Sequence, residues 1–192
     1  GLHDEFSAAS WVEDCNGAPN TTYGRMRASH GHRDPYQVKF WGIGNEMYGQ
    51  WQFGHMAIDH YIVKHNRFAV QMRHVDPTIQ LVGCGANIFE TGTTNRHHRL
   101  RPDNIRLPFQ YGSPEDWTGR LLARSSNYLE IIAEHVYPHW GHAYDEGQQR
   151  WVRVTENDAE AARRGANRIR AIVEAMDHYN ATIPGLKDQG IR

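Results

Sequence analysis

The sequence has little cysteine, no excess of either charge and no long hydrophobic run. Its two cysteines, Cys15 and Cys84, fall in a predicted helix and a predicted strand, which favours two buried thiols over a disulfide. A formal net charge of −1 gives no electrostatic basis for binding nucleic acid or another polyanion. No apolar run approaches the ~20 residues that span a bilayer, and no signal-peptide pattern opens the chain. We therefore expect a protein without nucleic-acid or membrane partners, and a cytoplasmic location.

Histidine, by contrast, is abundant at 13 residues, so a metal site has to be weighed against ordinary polar histidines. Three groups lie close together in the sequence: His30 with His32, His97 with His98, and His135 with His139 and His142. None follows the helical His-Glu-x-x-His pattern, and no cysteine pair accompanies them at zinc-ligand spacing. We expect neither a metal ion nor a cofactor.

Hydrophobic periodicity divides the chain into alternating helices and strands. Strands are predicted at residues 38–44, 80–84 and 128–134, and helices at 6–15, at 58–75, from 114 onward and at 158–179. The helix at 58–75 is the clearest, because its apolar residues recur at helical spacing until Asp76-Pro77 stops it. This alternation predicts an α/β protein with a parallel sheet covered by helices. A doubly wound sheet and a barrel fit the pattern equally well.

The most informative stretch runs from Lys39 to Gly49, where a short apolar run delivers Asn45 and Glu46 to the end of a predicted strand. In barrels of alternating strands and helices, polar residues at that end of a strand form the active site. A carboxylate there suits sugar hydrolysis, since it can protonate a leaving glycosidic oxygen while the amide binds a neighbouring hydroxyl. The alternative is a helix-capping Asn45 beside a solvated Glu46, because Asn-Glu alone is a common dipeptide.

Longer matches around this stretch resemble one family. They comprise Gly-Ile-Gly-Asn-Glu-Met-Tyr-Gly at 42–49, Trp-Gln-Phe-Gly-His-Met at 51–56, Tyr-Ile-Val-Lys-His-Asn at 61–66 and Gln-Leu-Val-Gly-Cys-Gly-Ala at 80–86. Together they resemble the α-L-arabinofuranosidases of glycoside hydrolase family 51. The resemblance selects the barrel: it implies part of a (β/α)8 TIM-type barrel, with the three predicted strands as its fourth to sixth. Residues 1–192 are then expected to form a single partial glycosidase catalytic domain, since a whole barrel takes about 250 residues.

The resemblance implies roles for five residues. Glu46 is expected to be the general acid/base, with a pKa raised by partial burial and a neighbouring carboxylate. Asn45 is expected to bind the sugar hydroxyl beside the reacting carbon, and Trp51 to form a wall for a sugar face unless it is an ordinary core tryptophan. Strand alternation places His135 and Tyr137 on one side of the chain, and Glu134 and Val136 on the other. The imidazole is expected to orient the acid/base and the phenol to hold the nucleophile; the alternative for each is a hydrogen-bonded core side chain.

A retaining glycosidase needs a second carboxylate about 5 Å from the first, and the family places it at the end of the seventh strand, just beyond Arg192. Glu156, in the alternating run 151–156, is the local substitute, but it has no counterpart in the family. We therefore expect hydrolysis of terminal α-L-arabinofuranosyl residues from arabinose-containing oligosaccharides or polysaccharides, with this chain alone inactive. Its open sheet edges favour pairing with another chain, and a second copy of the same chain would give a homo-oligomer.

Two other functions fit the same residues. A non-catalytic remnant would bind a sugar or a partner without turnover. Another glycosidase of the same wider clan would share Asn-Glu at this strand end but act on a different sugar.

Overall fold

The computed structural model describes residues 3–49, 51–86, 112–135, 142–145, 147–153 and 157–192. Its elements, in chain order, are α1 (Glu5–Asn16), α2 (Thr22–Ser29), β1 (Phe40–Ile43), α3 (Ile58–Val75), β2 (Gln80–Cys84), α4 (Trp117–Ser125), a 3-10 turn (Ser126–Tyr128), β3 (Ile131–Ala133), β4 (His142–Asp145), β5 (Arg150–Arg153), α5 (Asp158–Thr182) and α6 (Leu186–Gln189). The predicted bounds of α3 and β2 are confirmed, whereas β1 and β3 are shorter than predicted. The sequence pattern does not predict α2.

α2 is held by one buried arginine rather than by an apolar stripe. The Thr21 hydroxyl accepts a hydrogen bond from the Gly24 N–H and so caps the start of the helix. Arg27 is buried, and its guanidinium donates to the carbonyls of Asp14 and Gly17 at the end of α1. Because these contacts are tertiary, hydrophobic periodicity gives no sign of them.

β1, β2 and β3 form a parallel sheet in that spatial order, with Phe40 beside Gln80 and Val82 beside Ile131. The connecting helices α3 and α4 pack against each other, so both cover the same face of the sheet. A doubly wound sheet reverses its strand order at a switch point and places helices on both faces. The three described strands advance in one direction under one helix layer, a winding that a barrel shares with one half of a doubly wound sheet.

Burial alternates along the strands because one face of the sheet is covered and the other is open. Trp41 and Ile43 of β1 and Leu81 of β2 are buried against α3, where Met72 belongs to the same cluster. On the opposite face, the side chain of Phe40 is 60% exposed. In a closed barrel that opposite face would line the interior.

α5 joins the core through one half of its length. Its buried side chains include Ala175 and Tyr179, and the Tyr179 hydroxyl donates to Asp116, the N-cap residue of α4, at 2.7 Å. Ile169 and Val173, which share its apolar face by spacing, are exposed. The covered part of the helix therefore fixes the start of α4, which contributes to the site described below.

The last residue lies beside β3. The Arg192 N–H donates to the Glu130 carbonyl at 3.0 Å, and the Ile132 N–H donates to the Arg192 carbonyl at 2.8 Å. These two bonds are the pairing of a parallel strand on the outer edge of β3. The Arg192 guanidinium also donates to the Gln80 side chain at 2.9 Å.

Three smaller expectations concern the thiols, the membrane and residues 151–156. Cys15 and Cys84 are free thiols, as predicted; Cys84 is buried, whereas Cys15 is half-buried rather than buried. No helix within the described ranges has the length and apolar character to cross a membrane. β5 covers the start of the alternating run, and Glu156 lies outside the described residues.

Candidate active site

The chain leaves β1 through two residues with left-handed backbone conformations, Gly44 with φ +85° and Glu46 with φ +48°. A glutamate seldom adopts this conformation, so the surrounding contacts must hold it there. Tyr61 of α3 supplies one such contact. Its hydroxyl donates to the Ile43 carbonyl at 2.5 Å and accepts from the Cys84 N–H at 2.8 Å. The hydroxyl therefore bridges the ends of β1 and β2 just before Glu46.

The carboxyl group of Glu46 is held at both oxygens. His135, two residues beyond β3, places Nδ1 2.9 Å from Oε1, and because a carboxylate only accepts, the imidazole nitrogen donates. The Trp51 indole N–H donates to Oε2 at 2.5 Å, and the Gln52 amide reaches the same oxygen at 3.4 Å. Glu46 is buried, with 8% of its surface exposed. Three of the five predicted site residues, Glu46, Trp51 and His135, thus meet at the carboxyl ends of β1 and β3.

The protonation of Glu46 differs from the sequence expectation. Burial raises the pKa of this carboxyl, but the hydrogen bonds from His135, Trp51 and Gln52 and the charge of a protonated His135 outweigh burial, and the pKa lies below its ordinary value. The expected increase was wrong for the described residues, because the groups that contact Glu46 here are donors rather than the expected second carboxylate. This arrangement stabilises an ionised Glu46.

The position of the Trp51 ring is fixed by its packing against neighbouring residues of the same loop. A Cβ atom on Gly49 would come within 2.4 Å of the indole ring, so only glycine leaves room for the ring at this position. The Tyr48 ring meets the indole edge-on, with centroids 6.0 Å apart, and packs edge-on against Trp117 at 5.6 Å. With 44% of Trp51 exposed, one part of the ring contacts protein and another faces solvent.

Two predicted residues are not in this cluster of contacts. Asn45 is exposed beside Glu46, and within the described part of the chain it has no hydrogen-bond partner. Its amide is therefore accessible to a ligand. Tyr137 lies outside the described residues.

Sequence reasoning missed a second carboxyl group, that of Glu134. It points to the helix side of the sheet, opposite His135, as strand alternation predicts, and the Thr118 hydroxyl of α4 donates to its Oε1 at 2.6 Å. Its Oε2 is buried without a hydrogen-bond partner among the described residues. Burial, with a smaller contribution from the negative charge of Asp116, raises the pKa of Glu134 to about 7. A lone acidic residue at a strand end gives no sequence signal of such burial.

Within the described ranges, no group of three or more His, Cys, Asp or Glu side chains is arranged to hold a metal ion. His65 of α3 is fully buried, and burial lowers its pKa to about 4, so its imidazole is neutral near pH 7. His97, His98 and His139 lie outside the described residues.

Comparison with known proteins bears on this geometry. Residues 4–117 match the family described as "Alpha-L-arabinofuranosidase 1 domain". An intracellular exo-α-(1→5)-L-arabinofuranosidase of Acetivibrio thermocellus is 33% identical over 139 residues, which cover 69% of this chain and 28% of that protein. An α-L-arabinofuranosidase C of Emericella nidulans is 39% identical over 85 residues, covering 44% of this chain and 16% of the relative.

Solved structures give the same result over the whole chain. An α-L-arabinofuranosidase from Thermotoga maritima, in complex with arabinose, aligns with a TM-score of 0.67 at 26% identity and covers 100% of this chain and 31% of its own. The family 51 enzyme from Thermotoga petrophila aligns with the same values. The resemblance to family 51 drawn from the sequence is thus confirmed. The chain spans less than a third of the length of these relatives, and its fold agrees with part of a TIM-type barrel.

Proposed function

This chain belongs to the α-L-arabinofuranosidase 1 domain family, and on that premise we propose that it forms the acid/base part of a retaining α-L-arabinofuranosidase. The observation that carries the proposal is the Glu46 carboxyl at the end of β1, held by His135 at 2.9 Å and by Trp51 at 2.5 Å. β1, β2 and β3 are assigned as the fourth, fifth and sixth barrel strands, within a single partial catalytic domain over residues 1–192. The sequential parallel order supports this assignment.

Glu46 protonates the leaving glycosidic oxygen in the first step and takes a proton from water in the second. The first step requires a protonated carboxyl, whereas the described contacts of Glu46 favour the ionised form. A nucleophilic carboxylate brought close to Glu46 would raise its pKa, because two adjacent negative charges repel. The proposed mechanism therefore depends on that second carboxylate for charge as well as for chemistry.

We place the nucleophile outside these 192 residues, on a strand that continues from Arg192. The support is the parallel hydrogen bonding of Arg192 with Glu130 and Ile132 on the outer edge of β3. A strand extending in that direction runs past the end of β3 toward His135 and Glu46. Tyr137 is proposed to hold the carboxylate of this nucleophile, a role that rests on the family resemblance alone.

The substrate is proposed to be a terminal α-L-arabinofuranosyl residue of an arabinose-containing oligosaccharide or polysaccharide. Asn45 binds the hydroxyl next to the reacting carbon, a role supported by its exposure beside Glu46. The exposed part of the Trp51 ring offers an apolar surface to a sugar face. A cytoplasmic location is supported by the relative from Acetivibrio thermocellus, which is named as an intracellular exo-enzyme.

Replacing Glu46 by glutamine in the protein expressed from its complete reading frame tests the proposal. Turnover of an arabinobiose, whose leaving group needs protonation, should fall by ~10²–10⁴-fold, while an aryl arabinofuranoside with an activated leaving group should lose much less in its first step. Azide should partly restore turnover of the aryl substrate, because a small anion can replace the activated water. Glu115→Gln, on the exposed surface before α4, is the matched control.

The donors on both oxygens of Glu46, which hold its pKa below the ordinary value, favour a second candidate: a sugar-binding protein without turnover. That function predicts arabinoside binding with no hydrolysis by the parent protein. If the parent protein hydrolyses both substrates and Glu46→Gln lowers their turnover equally, the protein is an enzyme but Glu46 is not its general acid.

A further inference from the structure

We propose that Trp51 is a positioning residue for Glu46, which fixes the carboxyl group through its indole N–H in addition to offering a ring surface to the sugar. This inference rests on the proposed function of Glu46 and goes beyond it by assigning Trp51 a second role. The geometry that carries it is the 2.5 Å bond from the indole nitrogen to Oε2, opposite the imidazole that holds Oε1.

The conformation of the loop that carries Trp51 directs the indole N–H toward Glu46. Glu46 has a left-handed backbone, and its carbonyl accepts from the Gly49 N–H at 2.7 Å, which closes a tight turn. The Gln52 N–H then donates to the Gly49 carbonyl at 2.9 Å, so a second turn follows at once. These two turns bring the side chain at position 51 back over the residue at position 46. The indole packs against Gly49, which has no side chain to displace it, and against the Tyr48 ring, so these two residues fix its position.

Two donors on different oxygens fix the plane of a carboxyl group, whereas one donor leaves it free to rotate. With His135 on Oε1 and Trp51 on Oε2, Glu46 has a set orientation before a sugar arrives. A general acid must lie within hydrogen-bond reach of the leaving oxygen, and misplacement by about 1 Å can cost ~10²-fold in rate. The indole N–H thus contributes to the placement of the proton that the reaction uses.

The same bond affects proton affinity in a defined direction. An N–H that donates to a carboxylate stabilises the charged form, and Trp51 is one of the donors that lower the pKa of Glu46. Removing the N–H while keeping an aromatic ring must therefore raise the pKa of Glu46. A residue that only contacts the sugar has no such effect.

Trp51→Phe separates the two roles, because phenylalanine keeps a ring and lacks the donor. In the protein expressed from its complete reading frame, kcat for a substrate with a poor leaving group should fall ~10-fold or more, within the range for a misplaced reacting group. KM should change much less, and the alkaline limb of the kcat/KM profile should move to higher pH. Gln52→Leu removes the longer contact at 3.4 Å and should cause a smaller movement in the same direction. Phe53→Leu, on the same loop and 77% exposed, is the control for loop changes.

A readout that is independent of turnover distinguishes this inference from the proposed function. Glutamate labelled with 13C at Cδ, with the Glu46 signal assigned from its loss in Glu46→Gln, gives the titration of Glu46 directly. A higher midpoint in Trp51→Phe supports the positioning role even if the parent hydrolyses no arabinofuranoside, in which case the proposed function alone fails.

An unchanged Glu46 titration together with a raised KM would overturn the inference and leave Trp51 as a sugar wall. If Trp51→Phe does not fold, the indole N–H proton of the parent provides the test. Its NMR signal should move upfield in Glu46→Gln, where the carboxylate acceptor is lost, and an unmoved signal refutes the bond.

Discussion

Glu134 offers a quantitative test of the fold at the candidate site. Its carboxyl group accepts one hydrogen bond, from Thr118 at 2.6 Å, and its second oxygen is buried without a partner among the described residues. Burial raises the pKa from 4.5 to about 7. At roughly 1.4 kcal/mol per pH unit, this difference corresponds to about 3 kcal/mol of stability.

The sign of the effect follows from proton binding in the two states. Between pH 4.5 and about 7 the unfolded chain has released this proton while the folded chain retains it. The free energy of unfolding therefore decreases as pH rises through this window, and the loss is complete above it. Glu134→Gln mimics the protonated acid at every pH. The variant should match the parent below pH 4.5 and exceed it in stability by up to about 3 kcal/mol at pH 8.

Urea unfolding of both proteins from pH 4 to pH 8 measures this difference directly. When the unfolding free energy of the parent is subtracted from that of Glu134→Gln, the contributions of titrating groups that the substitution does not affect cancel. Glu174→Gln, an exposed change on α5, controls for the loss of one negative charge. A difference that stays constant across the range would refute the argument, because it would mean that Glu134 titrates alike in both states.

Two further predictions concern the loop and the helix around Glu46. Tyr61→Phe leaves the buried Cys84 N–H without its acceptor, and should lower the free energy of unfolding by about 1–3 kcal/mol; a loss below 0.5 kcal/mol in urea unfolding, roughly the size of an ordinary surface change, would contradict this reasoning. Gly49→Ala places a Cβ within 2.4 Å of the Trp51 ring, so the indole must move away from Glu46. We expect a shift in the tryptophan fluorescence emission. An unchanged spectrum would show that the surrounding residues accommodate the Cβ without moving the ring.

Much of the fold follows from local sequence signals. α3 begins and ends as predicted because its apolar spacing is regular and Asp76-Pro77 stops it. α2 does not follow, because Arg27 stabilises it through carbonyl groups of α1 that no local pattern relates to it. Periodicity does not distinguish the barrel from the doubly wound sheet, and three sequential parallel strands fit both. The likeness to the family 51 structures separates them.

The sequence named Glu46, Trp51 and His135, whose side chains meet at the candidate site, but it did not predict the contact between Trp51 and Glu46. Resemblance and strand-end position identify Glu46 and His135, whose side chains meet across the carboxyl ends of β1 and β3. The Trp51–Glu46 bond depends on a left-handed glutamate and two successive turns, which residue spacing does not specify. Among the described residues those donors lower the pKa of Glu46, whereas the expected increase also depended on a second carboxylate that is not among them.

The hydroxyl of Tyr61 also has a consequence for motion in the sheet. Because the Cys84 N–H donates to this side chain, its protection from hydrogen exchange depends on the docking of α3 as well as on the pairing of β2. If α3 lifts from the sheet while the strands stay paired, the Cys84 amide exchanges and its neighbours in the ladder do not. The hydrogen–deuterium exchange rate of the Cys84 amide in β2 would therefore report how often α3 separates from the sheet.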